Sequence, residues 1–129
     1  LPAARRLGLL RRRELTAGAV GGDIAAPGAR ELAYDRVPLS ALASMLEGLR
    51  GVVRDLPRVS APAVVLRSAV DGVVPASSTA TVLARTGSTD VREEVLERSR
   101  HVATLDHDAP RISAATLALV GRTCRQVVA

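Results

Sequence analysis

The chain has 129 residues, 47% hydrophobic and 24% charged, with 18 basic residues against 13 carboxylates and a net charge of +5. At ~100–200 residues per domain this is one domain or part of one, with the composition of a folding chain and not of a disordered tail. Its apolar runs fall far short of the ~20 residues of a membrane-crossing helix, and the single Cys124 excludes an internal disulfide and makes a reducing cytoplasm the expected compartment.

Every basic residue is Arg, and Lys and Asn are absent. That bias reads as codon usage in a GC-rich genome, which weakens Arg abundance as a functional signal. With no Phe, no Trp and one Tyr, a core must be assembled from Val, Leu, Ile and Ala, without the large area an aromatic ring buries. The chain starts at Leu1 where a complete gene product starts with Met, so it reads as part of a longer protein.

Residues 1–15 carry five Arg before the first carboxylate, Glu14, with Leu7 and Leu10 at helical spacing. A solvated helix face explains this run better than a transit peptide or a nucleic-acid arm. Residues 16–30 are rich in Gly and Ala and read as a loop. Gly18, Gly21 and Gly22 are not in the G-x-G-x-x-G order of a dinucleotide cradle. Pro38 is placed to open a helix in which Leu39, Leu42, Leu46, Leu49, Val53 and Leu56 recur every three or four residues.

Pro57 and Pro62 bracket a connection into Ala63–Ser68, a short apolar run suited to a strand of a parallel sheet. Val70-Asp71-Gly72 then turns the chain, Pro75 opens a second helix to about Arg85, and Val91–Glu97 is the next strand. A polar loop carries His101, and Asp108 is the expected N-cap of a last helix with Ile112, Leu117 and Val120 on its apolar side. Strand, helix, strand, helix implies a right-handed parallel crossover and an α/β fold.

In such sheets functional side chains lie just past the C-terminal ends of strands. Asp71 and His101, 30 positions apart, each follow one of the two strands, so parallel neighbours bring them to one sheet edge. A carboxylate beside an imidazole fixes its tautomer and stabilises the imidazolium, making the His a general base for a hydroxyl nucleophile. His101, Asp106, His107 and Asp108 also offer mixed metal donors, but the spacing fits no common site, so no metal and no cofactor are expected. Asp106 is read as a brace for the His loop, and Cys124, with no activating neighbour in sequence, as structural.

The segments PAVVLRSAVDGVVPASS, residues 62–78, and GSTDVREEVLERSRHVATLDHDAPRI, residues 87–112, resemble the C-terminal part of a bacterial α/β-hydrolase of the carboxylesterase and monoacylglycerol-lipase branch. There a D-x-V-V-P turn carries the triad acid and an H-V-x-T-L-D loop the triad His, which implies Asp71 as acid and His101 as base. Residues 21–47 resemble the cap insertion of the same esterases. The resemblance implies a helical cap or lid segment over residues 1–57 and the C-terminal part of the hydrolase core over 58–129. Tyr34 and Met45 are then candidates to line an acyl pocket.

Two departures stand out. The family's G-x-S-x-G nucleophile elbow is absent from these 129 residues, and so is its oxyanion-hole strand. Arg100 precedes the His where the family tends to have Gly or an aromatic residue. The resemblance therefore implies a serine carboxylesterase whose nucleophile lies upstream, a small carboxylic ester as substrate, and the missing N-terminal half of the same fold as partner. The chain alone is expected to be inactive and poorly folded. The competing readings are a non-enzymatic relative of the fold and a small basic nucleic-acid-binding module. The second lacks stacking aromatics and any helix-turn-helix, RNA-binding or zinc signature, so no nucleic-acid partner is expected.

Overall fold

The computed structural model describes residues 16–18 and 21–128. In chain order these form β1 (Thr16–Gly18), β2 (Arg36–Pro38), α1 (Leu39–Asp55), a 3₁₀ turn (Leu56–Arg58), β3 (Ala63–Ser68), α2 (Ala76–Arg85), β4 (Val91–Leu96), a second 3₁₀ turn (Ala103–Leu105) and α3 (Ala109–Val128). The helical reading of residues 1–15 falls outside the described residues.

The centre is the β3–α2–β4 unit. β3 and β4 pair in parallel with Ala63 opposite Val91 and Ser68 opposite Leu96. β-branched Val64, Val65, Val91 and Val95 suit the extended backbone, and both strands finish at the same level. The loops that follow them therefore leave from one edge. α2 and α3 both pack against β3. α2 takes Pro75 as N-cap with an extended backbone, φ −70° and ψ 148°, which the proline ring favours.

Three details depart from the sequence reading. β1 and β2 form a short antiparallel pair, Thr16 opposite Pro38, where residues 16–30 read as loop. Three residues rich in Gly and Ala carry no alternation to reveal a strand. Pro38 closes β2 and is the N-cap of α1, not its first helical residue. Asp108 precedes α3 as expected, but its carboxylate turns back to the Arg98 amide at 3.0 Å and the Ser99 hydroxyl at 2.9 Å.

Packing is thin for the apolar content. Among the described residues only Ala43, Leu56 and Leu96 are buried hydrophobics, while Met45, Leu46, Leu49 and Val52 of α1 and Leu117 and Val120 of α3 stay exposed. A fully buried Leu contributes roughly 1.5–3 kcal/mol, and ordering each backbone residue costs about 1–2 kcal/mol. Among the described residues the β3–β4 sheet has two strands, so each strand keeps an open edge. The isolated chain is thus expected to bind a hydrophobic dye such as ANS and to lose its helical circular dichroism over a broad temperature range. A sharp, probe-independent transition without dye binding would contradict this.

One close approach is tight. Gly87 packs so near the chain after α1 that a Cβ there would lie 2.1 Å from the Pro57 carbonyl oxygen. Only glycine permits the α2–β4 connection to pass at that distance.

Among the described residues no helix is long and apolar enough to cross a membrane.

Candidate active site

β3 delivers Asp71 and β4 delivers His101. Ser68, the last residue of β3, is buried, and its hydroxyl donates to the Ser99 carbonyl while accepting the Val70 amide at 3.2 Å. The loop after β3 is thus pinned to the loop after β4 before either reaches its ionisable residue. Asp71 then folds back on its own chain, its Oδ1 accepting the amides of Val73 and Val74, each at 2.8 Å. This Asx-type turn fixes the carboxylate direction.

The second oxygen of Asp71 meets Nδ1 of His101 at 3.1 Å. The Asp71 side chain is 14% exposed and that of His101 35%. Burial pushes the Asp71 carboxyl up, but the Val74 amide, His101 and the Val73 amide together hold it below the usual carboxylate value. In the neutral imidazole an ionised Asp71 accepts from Nδ1–H, and Nε2 is then the lone-pair nitrogen. No hydrogen bond among the described residues engages Nε2.

The His101 loop is braced from beneath. Ser99 is fully buried, its hydroxyl donating to Asp108 and accepting the Asp108 amide at 2.7 Å. Asp106 accepts four backbone amides: Ala25 at 2.7 Å and Arg100 at 2.9 Å on Oδ2, and Ala26 at 2.9 Å and His107 at 2.8 Å on Oδ1. Burial works against its ionised form, yet these amides hold the carboxyl down at about 2. Asp106 is therefore a brace, as its sequence position suggests, and its partners include residues 80 and 81 positions away.

Sequence reasoning overlooked Asp23, which sits between the two loops. Its Oδ2 accepts the Gly72 amide at 2.9 Å and the His101 amide at 3.3 Å, its Oδ1 meets the Arg100 guanidinium at 3.3 Å, and its carbonyl accepts the Val102 amide at 3.2 Å. The Gly72 amide, opposed by burial and joined by His101 and Arg100, keeps its carboxyl below the usual value. Arg100 is thereby drawn to Asp23, with 55% of its side chain exposed. The available signal was Gly21-Gly22-Asp23: Gly22 adopts φ +75°, a left-handed turn that aims the next residue.

Tyr34 and Met45 are 89% and 54% exposed, and no hydrogen bond or ion pair among the described residues ties either to the Asp71–His101 pair. Tyr34 lies with Leu32 and Ala33 along a shallow surface hollow. Cys124 is free and exposed.

No protein-family model matches the chain. A thermostable monoacylglycerol lipase of Bacillus sp. (strain H-257) is 33% identical over 93 residues, which are 72% of this chain and 37% of the lipase. In a solved structure from work on LipS and LipT, two metagenome-derived lipolytic enzymes, the match covers 95% of this chain and 50% of the other, with a TM-score of 0.81 and 33% identity. The chain thus spans half or less of the length of these relatives. With its parallel strand pair, its flanking helices and these two matches, the chain is an esterase- and lipase-like relative of the α/β-hydrolases and folds as part of that architecture.

Proposed function

We propose that the chain contributes the acid and base of a serine carboxylesterase or lipase, with Asp71 orienting His101 and the nucleophilic Ser supplied by the part of the fold that these residues do not span. The observation that carries this reading is the 3.1 Å contact between Asp71 and His101 Nδ1 at the C-terminal ends of two parallel strands. It agrees with the lipolytic character of both relatives.

In this reading Nε2 of His101 takes the proton of the Ser hydroxyl as the oxygen attacks the ester carbonyl. The tetrahedral oxyanion collapses, the bond to the alcohol oxygen breaks, and the departing alcohol takes the proton back from Nε2. Water repeats the sequence on the acyl-enzyme and releases the carboxylic acid. Asp71 stays ionised throughout and stabilises the imidazolium. Residues 58–129 form the catalytic part and residues 1–57 the cap, with Tyr34 and Met45 assigned to the acyl pocket completed by the rest of the fold.

The test is labelling by a fluorophosphonate probe, which needs an activated Ser. The 129-residue chain alone is expected to stay unlabelled and inert toward p-nitrophenyl esters. Adding the remaining part of the parent protein in trans is expected to restore labelling, with the label on the added part. Label on the 129-residue chain would overturn the assignment of the nucleophile.

A further inference from the structure

We propose that Asp23 is a positioning residue that holds the acid and base loops at one fixed separation. The inference rests on the reading of Asp71 and His101 as acid and base, and goes beyond it by naming what sets their geometry.

One oxygen atom makes the connection. Oδ2 of Asp23 receives the amide of Gly72, the residue after the acid, and the amide of His101 itself. The peptide that follows Asp71 and the peptide that carries His101 are therefore measured from the same point. The carbonyl of Asp23 takes the Val102 amide as well, so the backbone is held on both sides of His101.

Asp23 is itself fixed. Two and three residues further on, the Ala25 and Ala26 amides are anchored on Asp106, whose other partners lie in the His101 loop. The approach is close enough that a Cβ on Gly72 would come within 3.1 Å of Oδ2. The Asp23 side chain is 16% exposed. A hydrogen bond of about 3 Å between Asp71 and His101 is sensitive to sliding of one loop past the other, because such bonds weaken steeply with distance and angle. The Ser68–Ser99 bond joins the two loops near the strand ends, and the Asp23 oxygen joins them again at Gly72 and His101, beside the acid and the base themselves.

The experiment uses the full-length hydrolase of the parent reading frame with Asp23→Ala, Asp23→Asn and Gly72→Ala. Steady-state kinetics and two-bond ¹H–¹⁵N spectra of His101 are the readouts. Asp23→Ala is expected to lower kcat about tenfold through misplacement of the base, with KM unchanged, and to reduce the Nδ1–H tautomer of His101. Asp23→Asn keeps a side-chain carbonyl for the Gly72 and His101 amides and is expected to recover most of kcat and the tautomer. A role confined to charge predicts no such rescue, and a role confined to fold stability leaves kcat and the His101 tautomer of folded Asp23→Ala unchanged.

If Asp23→Ala does not fold, Gly72→Ala decides, since it keeps the carboxylate but crowds it away from the amide. It is expected to lower kcat with KM unchanged, and a wild-type kcat there overturns the proposal. Wild-type kcat and an unchanged His101 spectrum in Asp23→Ala overturn it equally. His101→Ala in the same assay separates the two claims. If it retains activity the assignment of the base fails, whereas if it is dead and Asp23→Ala is wild-type only the positioning role fails.

Discussion

On the proposed acid and base roles, His101→Ala in the full-length protein is expected to lower kcat for ester hydrolysis by about 10⁶-fold, and Asp71→Asn by about 10⁴-fold, with KM little changed in either. The difference follows from what each group does. In the proposed mechanism His101 carries the proton in both half-reactions, so its loss leaves Ser without a base, whereas Asp71 moves no proton. Its Oδ2 meets Nδ1 at 3.1 Å while Oδ1 is occupied by two amides of its own turn. Asn in that place presents an amide group where an acceptor is needed, which favours the wrong tautomer and leaves a residual rate. Single-turnover acylation with a p-nitrophenyl ester measures both. Equal losses would mean that Asp71 does more than orient His101, and a wild-type rate in His101→Ala would end the assignment.

The order and limits of the main elements are legible in the sequence. Ala63–Ser68 is bounded by Pro62 and by the turn at Val70-Asp71-Gly72, and the helix after Pro75 ends at Arg85. These segments carry their own stop signals, so local chemistry decides them. The strand ends then put the Asp71 and His101 loops at one edge, a consequence of topology that two parallel strands make unavoidable.

What escaped is of another kind. The bonds of Asp23 to Gly72 and His101 span 49 and 78 positions, and no local pattern announces a carboxylate whose partners are backbone amides elsewhere. Asp108 looks like a helix cap because Asp before a helix commonly is one. Its carboxylate instead completes the buried hydroxyl of Ser99, an interaction that exists only once the loop has folded. The spacing of α1 gives an apolar stripe, yet Leu46 and Leu49 on it stay exposed. Periodicity reveals which face is apolar and says nothing of what covers it.

Acid is expected to unlatch the site through Asp106, and Asp106→Asn to do so at neutral pH. The folded carboxyl titrates at about 2 against an ordinary 3.8. Its stabilising contribution is therefore complete above about pH 4 and is lost as pH falls toward 2. The protonated acid keeps its shape but gives up acceptor capacity toward four amides, two on residues 25 and 26 and two flanking the His loop at Arg100 and His107. Asp23, Asp71 and Asp108 are also held below their usual values, so the wild-type protein loses several contacts together in this range. Comparing the melting midpoint of wild type and Asp106→Asn from pH 6 to pH 2 isolates the one group, because the variant cannot titrate there. The variant is expected to start from a lower midpoint and to show a shallower decline. In Asp106→Asn one oxygen becomes an NH₂ group that cannot accept, so two of the four amides lose their acceptor and residues 23–26 loosen against the His101 loop. A displacement of about 1 Å at the base costs roughly 10²-fold in rate, and kcat at pH 7 is expected to fall by that order. Wild-type kcat together with a parallel pH profile of stability would show that these four bonds brace nothing that the reaction needs.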